Sequence, residues 1–344
     1  MAYSMKIAIL GAGAVGSLFG AYLSRFCDVL LVGRREHVEA VNAAGLQISG
    51  ATDRVFEVRA AETVARLSAP KAHAAEKIPD EKFDLVVITT KAYDTEKAAL
   101  SVPPNLRSKA LFLSLQNGLT NYEALRKHVP EKNVLLGITA QGATFLEPGC
   151  IEHAGAGETV IGAPNKAAAQ AHENDVALIN ELFNDAGLPC RISENIAQDV
   201  WAKAAINSAI NAVTAITGLR NGEILELEQL ARLCESVVNE SAEVAAAAGY
   251  ALPKNTALKF AEVIKDTAAN KSSMLQDIER GRRTEIESIN CEIARVGAIH
   301  GIPTPLNSAL AALVKGIERS TTGGKAEAAY CLSASIMQAL SRRG

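Results

Sequence analysis

A chain of 344 residues exceeds the usual span of one domain, and with 48% hydrophobic and 21% charged residues it has the makeup of a globule with ample core, so two domains are expected. A formal charge of −3 supplies no basic field for nucleic acid, and the uncharged run over residues 7–23 is shorter than the ~20 residues a membrane span needs, so neither partner is expected and a cytoplasmic location follows. The six cysteines fall at 27, 150, 190, 234, 291 and 331 with no Cys-x-x-Cys spacing, which argues against both a metal site and a disulfide framework.

In chain order, strand-like apolar runs at residues 7–10, 29–32, 85–89, 110–115, 134–138 and 159–161 alternate with helical patterns. This alternation predicts βαβ units and a mainly parallel sheet, an α/β domain over residues 5–194. Directly after the first run come Gly11, Ala12, Gly13, Ala14, Val15 and Gly16, followed by a helix-like stretch. A lone G-x-G-x-x-G is weak, but its place between strand and helix is the context of a Rossmann-type dinucleotide fingerprint. There Gly11 serves the tight turn, Gly13 lets the backbone approach a pyrophosphate, and Gly16 brings helix and strand together. At the end of the second run, where an NAD enzyme usually places an acid, the chain has Arg34 and Arg35. A guanidinium pairs with a 2′-phosphate that an acid would repel, so NADPH is expected; the plainer reading is a solvated arginine pair. Residues 69–82 read as a surface insertion. Lys91 ends the third run and Gln116, Asn117 and Gly118 end the fourth, where ligands of open α/β sheets bind, although taken alone a lysine there is more often a surface residue and Asn117 with Gly118 more often a turn.

Past residue 192 strand signals give way to alanine-rich stretches of 3.6-residue period, predicting an all-α domain over residues 195–320 with helices at 196–216, 225–248, 254–266, 284–300 and 306–317. Residues 321–344 form a tail, with one more helix expected over 326–340. Lys203, Asn207 and Asn211 recur at four-residue intervals, drifting only ~40° per step around a helix. A polar stripe on an otherwise apolar helix needs partners or a cleft, and helix-tying asparagines are as consistent with it as an active site. Glu285 is a candidate carboxylate; beside it Thr284 and Glu287 carry the spacing of a capping box, and Ser272 and Ser273 begin a helix. The alanine-rich helices would also offer a homodimer face.

Taken together, these motifs resemble the ketopantoate reductase (2-dehydropantoate 2-reductase) family from residue 5 to about 317. The carrying residues are the glycine turn, Thr90 and Lys91, Gln116 to Gly118, Trp201 to Asn207 with Asn211, Thr214 to Ile216, Asn221 with Gly222 and Glu223, Ser272 to Asp277, and Arg283 with Glu285. The resemblance implies NADPH-dependent reduction of 2-dehydropantoate to (R)-pantoate, in the route to pantothenate and coenzyme A. By position it makes Lys203 the proton donor, with Glu285 close to the reacting centre, and Asn117, Asn207, Asn211, Asn221 and Ser273 the substrate contacts. Gly11, Ala12, Gly13, Ala14, Val15, Gly16, Arg34, Lys91, Asn117, Ala143 and Glu285 match the cofactor positions. The insertion and the tail are longer than the family pattern, and the segment leading to Ala143 matches it only loosely.

Hydride delivery to a C2 ketone builds negative charge on oxygen, which an acid must meet. No histidine lies in the helical cleft motifs, so lysine is the better candidate, its pKa lowered by burial from about 10.4. Reduction of another 2-keto acid and an NADPH-sensing protein without turnover are the rival readings.

Overall fold

The computed structural model describes residues 3–64, 82–253 and 256–321. The predicted tail helix lies outside these residues, as does all of the insertion except Lys82. Two compact units result, one within Met1–Gln116 and Thr120–Asp199, the other within Asn117–Leu119 and Val200–Gly344.

The first unit holds twelve strands among its described residues: β1 (Lys6–Leu10), β2 (Asp28–Val32), β3 (Leu46–Gly50), β4 (Arg54–Phe56), β5 (Arg59–Ala61), β6 (Leu85–Ile88), β7 (Leu111–Ser114), β8 (Val134–Thr139), β9 (Gly142–Glu147), β10 (Cys150–Gly155), β11 (Thr159–Gly162) and β12 (Cys190–Ile192). The main sheet runs β12-β11-β8-β7-β6-β1-β2-β5 and is parallel except where β11 meets β8. From β5 to β8 this is the doubly wound order, with the strand order reversing beside β1. Its central strands are apolar on both faces because each face is covered. Ile7, Ile9, Leu85 and Val87 point into one core cluster, and Ala8, Leu10, Val86 and Ile88 into the other, the period-two alternation of a strand.

A second sheet, β4-β3-β10-β9, was not expected from the sequence. Its strands bury few side chains: Leu46 and Ile48 of β3 and Ile151 of β10 face inward amid polar or small neighbours, too sparse a pattern to read as strands. Helix Ala14–Leu23 packs against it, and buried His37 links the layers by accepting the Gly149 N–H at Nδ1 (3.0 Å), which leaves Nε2–H to meet Ser17 Oγ at 3.0 Å.

The second unit is helical, with Ile196–Thr217, Glu223–Glu226, Glu228–Ala247, Thr256–Asp266, Ser273–Glu279, Glu292–His300 and Pro305–Thr321. The helix expected over 225–248 is broken at Leu227, whose extended backbone (ψ 100°) separates two pieces. The expected capping box does not form. Glu287 pairs instead with Lys315 (2.6 Å), and over Glu287–Cys291 the chain makes a widened i→i+5 turn before helix Glu292–His300. Ser272 does cap its helix, accepting the Leu275 N–H at 3.1 Å.

Candidate active site

In the first unit the β1 turn is shaped by two glycines and left open at a third. A Cβ on Gly11, whose φ is +108°, would lie 2.5 Å from the Thr90 nitrogen, and one on Gly16 would run into the Gly11 carbonyl oxygen and Thr89 Oγ1. At exposed Gly13 it would meet only the Gly11 oxygen, at 3.9 Å. Gly13 is also the N-cap of helix Ala14–Leu23 and offers no side chain to its first-turn N–H groups. An anion that approaches the backbone closely fits this cradle, as a dinucleotide pyrophosphate would.

The strand ends around the turn carry the other predicted cofactor residues. The Gly11 and Ala12 N–H groups both donate to the Val32 carbonyl at 2.9 Å, so β2 ends against the turn and Arg34 follows it. Arg35 is held by Glu39 at 2.8 Å, whereas Arg34 is exposed and no acid pairs with it among the described residues. Lys91 follows Thr90, whose backbone crowds Gly11 and whose carbonyl accepts from Gln116 Nε2 at 2.9 Å. Ala143 lies on β9, partly buried against the core beneath helix Ala14–Leu23.

In the second unit the polar stripe and the candidate carboxylate meet. Lys203 and Asn207 are half-buried on helix Ile196–Thr217, while Asn211 is 7% exposed. Burial pushes the Lys203 ammonium down from 10.5 to about 8, and the nearby Glu285 carboxylate partly opposes that fall. Glu285 is itself buried, and Asn117 Nδ2 donates to its Oε2 at 3.5 Å. An ammonium that releases its proton near neutral pH, beside a buried carboxylate, is suited to act as a general acid.

Not every predicted residue joins this group. Asn221 is held by another segment: its Nδ2 donates to Thr267 Oγ1 (2.9 Å) and its N–H to the Asn270 carbonyl (3.0 Å), while Oδ1 is buried with no hydrogen-bond partner among the described residues. Ser273 is exposed at the first turn of its helix. Buried Ser272, its neighbour, accepts from Thr214 Oγ1 at 2.7 Å, so the stripe continues from Asn211 to Thr214. Thr214 carries part of the family resemblance and stands eleven residues beyond Lys203 on the same helix, but its bond to Ser272 has no signal in the local sequence. Ser288, whose carbonyl accepts the Leu119 N–H at 2.8 Å, had no local signal.

Two family models match this chain in sequence order. Residues 7–166 match the model described as ketopantoate reductase PanE/ApbA, and residues 195–318 match that of its C-terminal part. The chain belongs to the ketopantoate reductase family. It is accordingly an oxidoreductase of NAD(P)-dependent type. The 2-dehydropantoate 2-reductase of Pyrococcus horikoshii is 38% identical over 93% of this chain and 100% of its own length, and that of Vibrio cholerae is 31% identical over 92% and 99%. Among solved structures, a ketopantoate reductase from Ralstonia eutropha is similar with a TM-score of 0.79 and 35% identity, over 92% of this chain and 99% of its own. A D-mandelate dehydrogenase bound to NADH and anilino(oxo)acetate shares the TM-score of 0.79 at 28% identity, over 92% and 99%. Among the described residues no helix is long and apolar enough to cross a membrane, and no group of three His, Cys, Asp or Glu is set to hold a metal.

Proposed function

We propose that this chain reduces 2-dehydropantoate to (R)-pantoate with NADPH in the cytoplasm, and that Lys203 donates the proton. The carrying observation is the Lys203 ammonium, brought to about 8 by burial with Glu285 beside it. When bound, the reduced nicotinamide supplies a hydride to the ketone carbon. Lys203 then gives its proton to the oxygen on which charge develops, and Glu285 orients the ammonium and steadies its charge. Asn117, Asn207, Asn211, Asn221 and Ser273 hold the keto acid by neutral hydrogen bonds, which orient it without competing charge.

The glycine turn, Gly11 to Gly16, would hold the pyrophosphate with its N–H groups, and Arg34 the 2′-phosphate, with Lys91, Asn117, Ala143 and Glu285 completing the cofactor contacts. The pairing state of Arg34 supports NADPH over NADH: its neighbour is spent on Glu39, but Arg34 has no acid among the described residues to satisfy it.

A second reading has one observation in its favour. The similar D-mandelate dehydrogenase, solved with anilino(oxo)acetate, carries the same fold, and pocket shape sets which keto acid is reduced. Following NADPH oxidation with 2-dehydropantoate and a panel of other 2-keto acids tests both. The highest kcat/KM is expected with 2-dehydropantoate; a clear preference for an aryl keto acid would favour the second reading, and no turnover on any member would overturn both.

A further inference from the structure

Asn117–Leu119 follows β7 in the chain yet packs as part of the helical unit. Leu119 N–H donates to the Ser288 carbonyl (2.8 Å), and Asn117 reaches Glu285. Between them Gly118, at φ +94°, lies under Ser288: a Cβ there would fall 2.6 Å from Ser288 Oγ and 2.8 Å from its carbonyl oxygen. Only glycine accepts both that backbone conformation and that approach.

The receiving carbonyl is available because the helix is widened at this point. The Cys291 N–H donates to the Ile286 carbonyl, an i→i+5 bond of 3.1 Å, and the Glu292 N–H goes to Ile289 rather than to Ser288. In a regular helix Ser288 would receive the Glu292 N–H. The widened turn is pinned by a buried polar chain. Asn290 donates to the Ser208 carbonyl (2.9 Å) and to Asn307 Oδ1 (3.0 Å), and Asn307 in turn donates to Glu240 Oε1 (2.8 Å) and Ser241 Oγ (3.1 Å). Because the polar partners are spread over three other helices, moving the turn would break several buried bonds together. Widened turns of this kind are frequent at functional sites.

We propose that the widened turn at Ser288, seated on Gly118, is a positioning device for Glu285: by clamping Asn117–Leu119 it fixes the carboxylate beside Lys203. Gly118 and Ser288 are thus positioning residues, acting through Glu285 and touching no reactant. Their value to catalysis rests on the reading of Lys203 as proton donor; their effect on Lys203 does not.

The test is competitive labelling of Lys203 by an amine-reactive anhydride across pH, read by mass spectrometry on the full-length chain, with the exposed Lys97 as internal reference. In the native protein the Lys203 midpoint is expected near 8. In Gly118→Ala the carboxylate is pushed off and burial acts unopposed, so the midpoint should fall clearly below its native position and kcat about tenfold, with Lys97 labelling unaltered. Adding Ser288→Gly, which removes the clashing side chain, should return part of both effects. Should Gly118→Ala not fold, Ser288→Thr crowds the contact by one methyl group and decides the matter in the same way. A folded variant with an unmoved Lys203 midpoint would overturn the proposal. Because labelling needs no substrate, failure of the native chain to reduce 2-dehydropantoate would strike the functional reading alone.

Discussion

Glu285 holds a proton on Lys203 that burial would otherwise drive off. The two influences oppose each other, and burial prevails, leaving the ammonium at about 8 instead of 10.5. An acid of ordinary lysine strength would hold its proton too tightly to give it up well at neutral pH. Without the carboxylate, by contrast, the same burial would press the ammonium lower still. The pairing of a half-buried lysine with a buried glutamate sets a compromise between these limits.

Glu285→Gln removes the charge that raises Lys203 and keeps the shape of the side chain. The alkaline limb of the kcat/KM profile should therefore shift to lower pH, with loss greater at pH 8 than at pH 6. Paired pH–rate profiles of native and variant protein check this; a limb that stays in place or moves upward would contradict the role given to Glu285.

Lys203→Ala should lower kcat by about a hundredfold or more, the usual worth of a placed acid, with NADPH affinity within about twofold. Stopped-flow turnover together with fluorescence titration of NADPH separates the two quantities. Unchanged turnover would remove Lys203 from the reaction.

Arg34→Asp replaces a 2′-phosphate partner by a group that repels it. The KM for NADPH should rise about 10- to 100-fold while NADH is little affected, as expected on exchanging a charge-assisted pair for a repulsive one. Initial rates with both cofactors measure the ratio, and an unaltered preference would count against Arg34.

Asn207→Ala and Asn211→Ala should raise the KM for the keto acid more than they lower kcat, because neutral hydrogen bonds to the substrate are present before and during reaction. Steady-state kinetics at saturating NADPH distinguish this from a defect confined to cofactor binding, which would contradict their placement with the substrate.

The parts of this protein that can be read from sequence are those whose signals are local. The β1 run, the offsets of Gly11, Gly13 and Gly16, and the Lys203 to Asn211 stripe each declare themselves within a dozen residues, through periods of 2 and 3.6. The small sheet does not, because β3 and β10 pair across about a hundred residues and each buries only one or two apolar side chains. Thr284 and Glu287 look like a capping box from spacing alone, yet Lys315 takes the glutamate from a helix that no local window includes. The docking of Gly118 on Ser288 is similarly distant, so the local sequence places Asn117 at a strand end although it packs with the helical unit.

The most direct measurement is the pH dependence of kcat/KM for 2-dehydropantoate reduction, followed by NADPH oxidation from pH 6 to 10 in the native chain. With Lys203 as the acid, activity holds at low pH and falls tenfold per pH unit once the pH passes about 8. A rate that stays level through pH 10, or an identical profile in Lys203→Ala, would contradict the assignment.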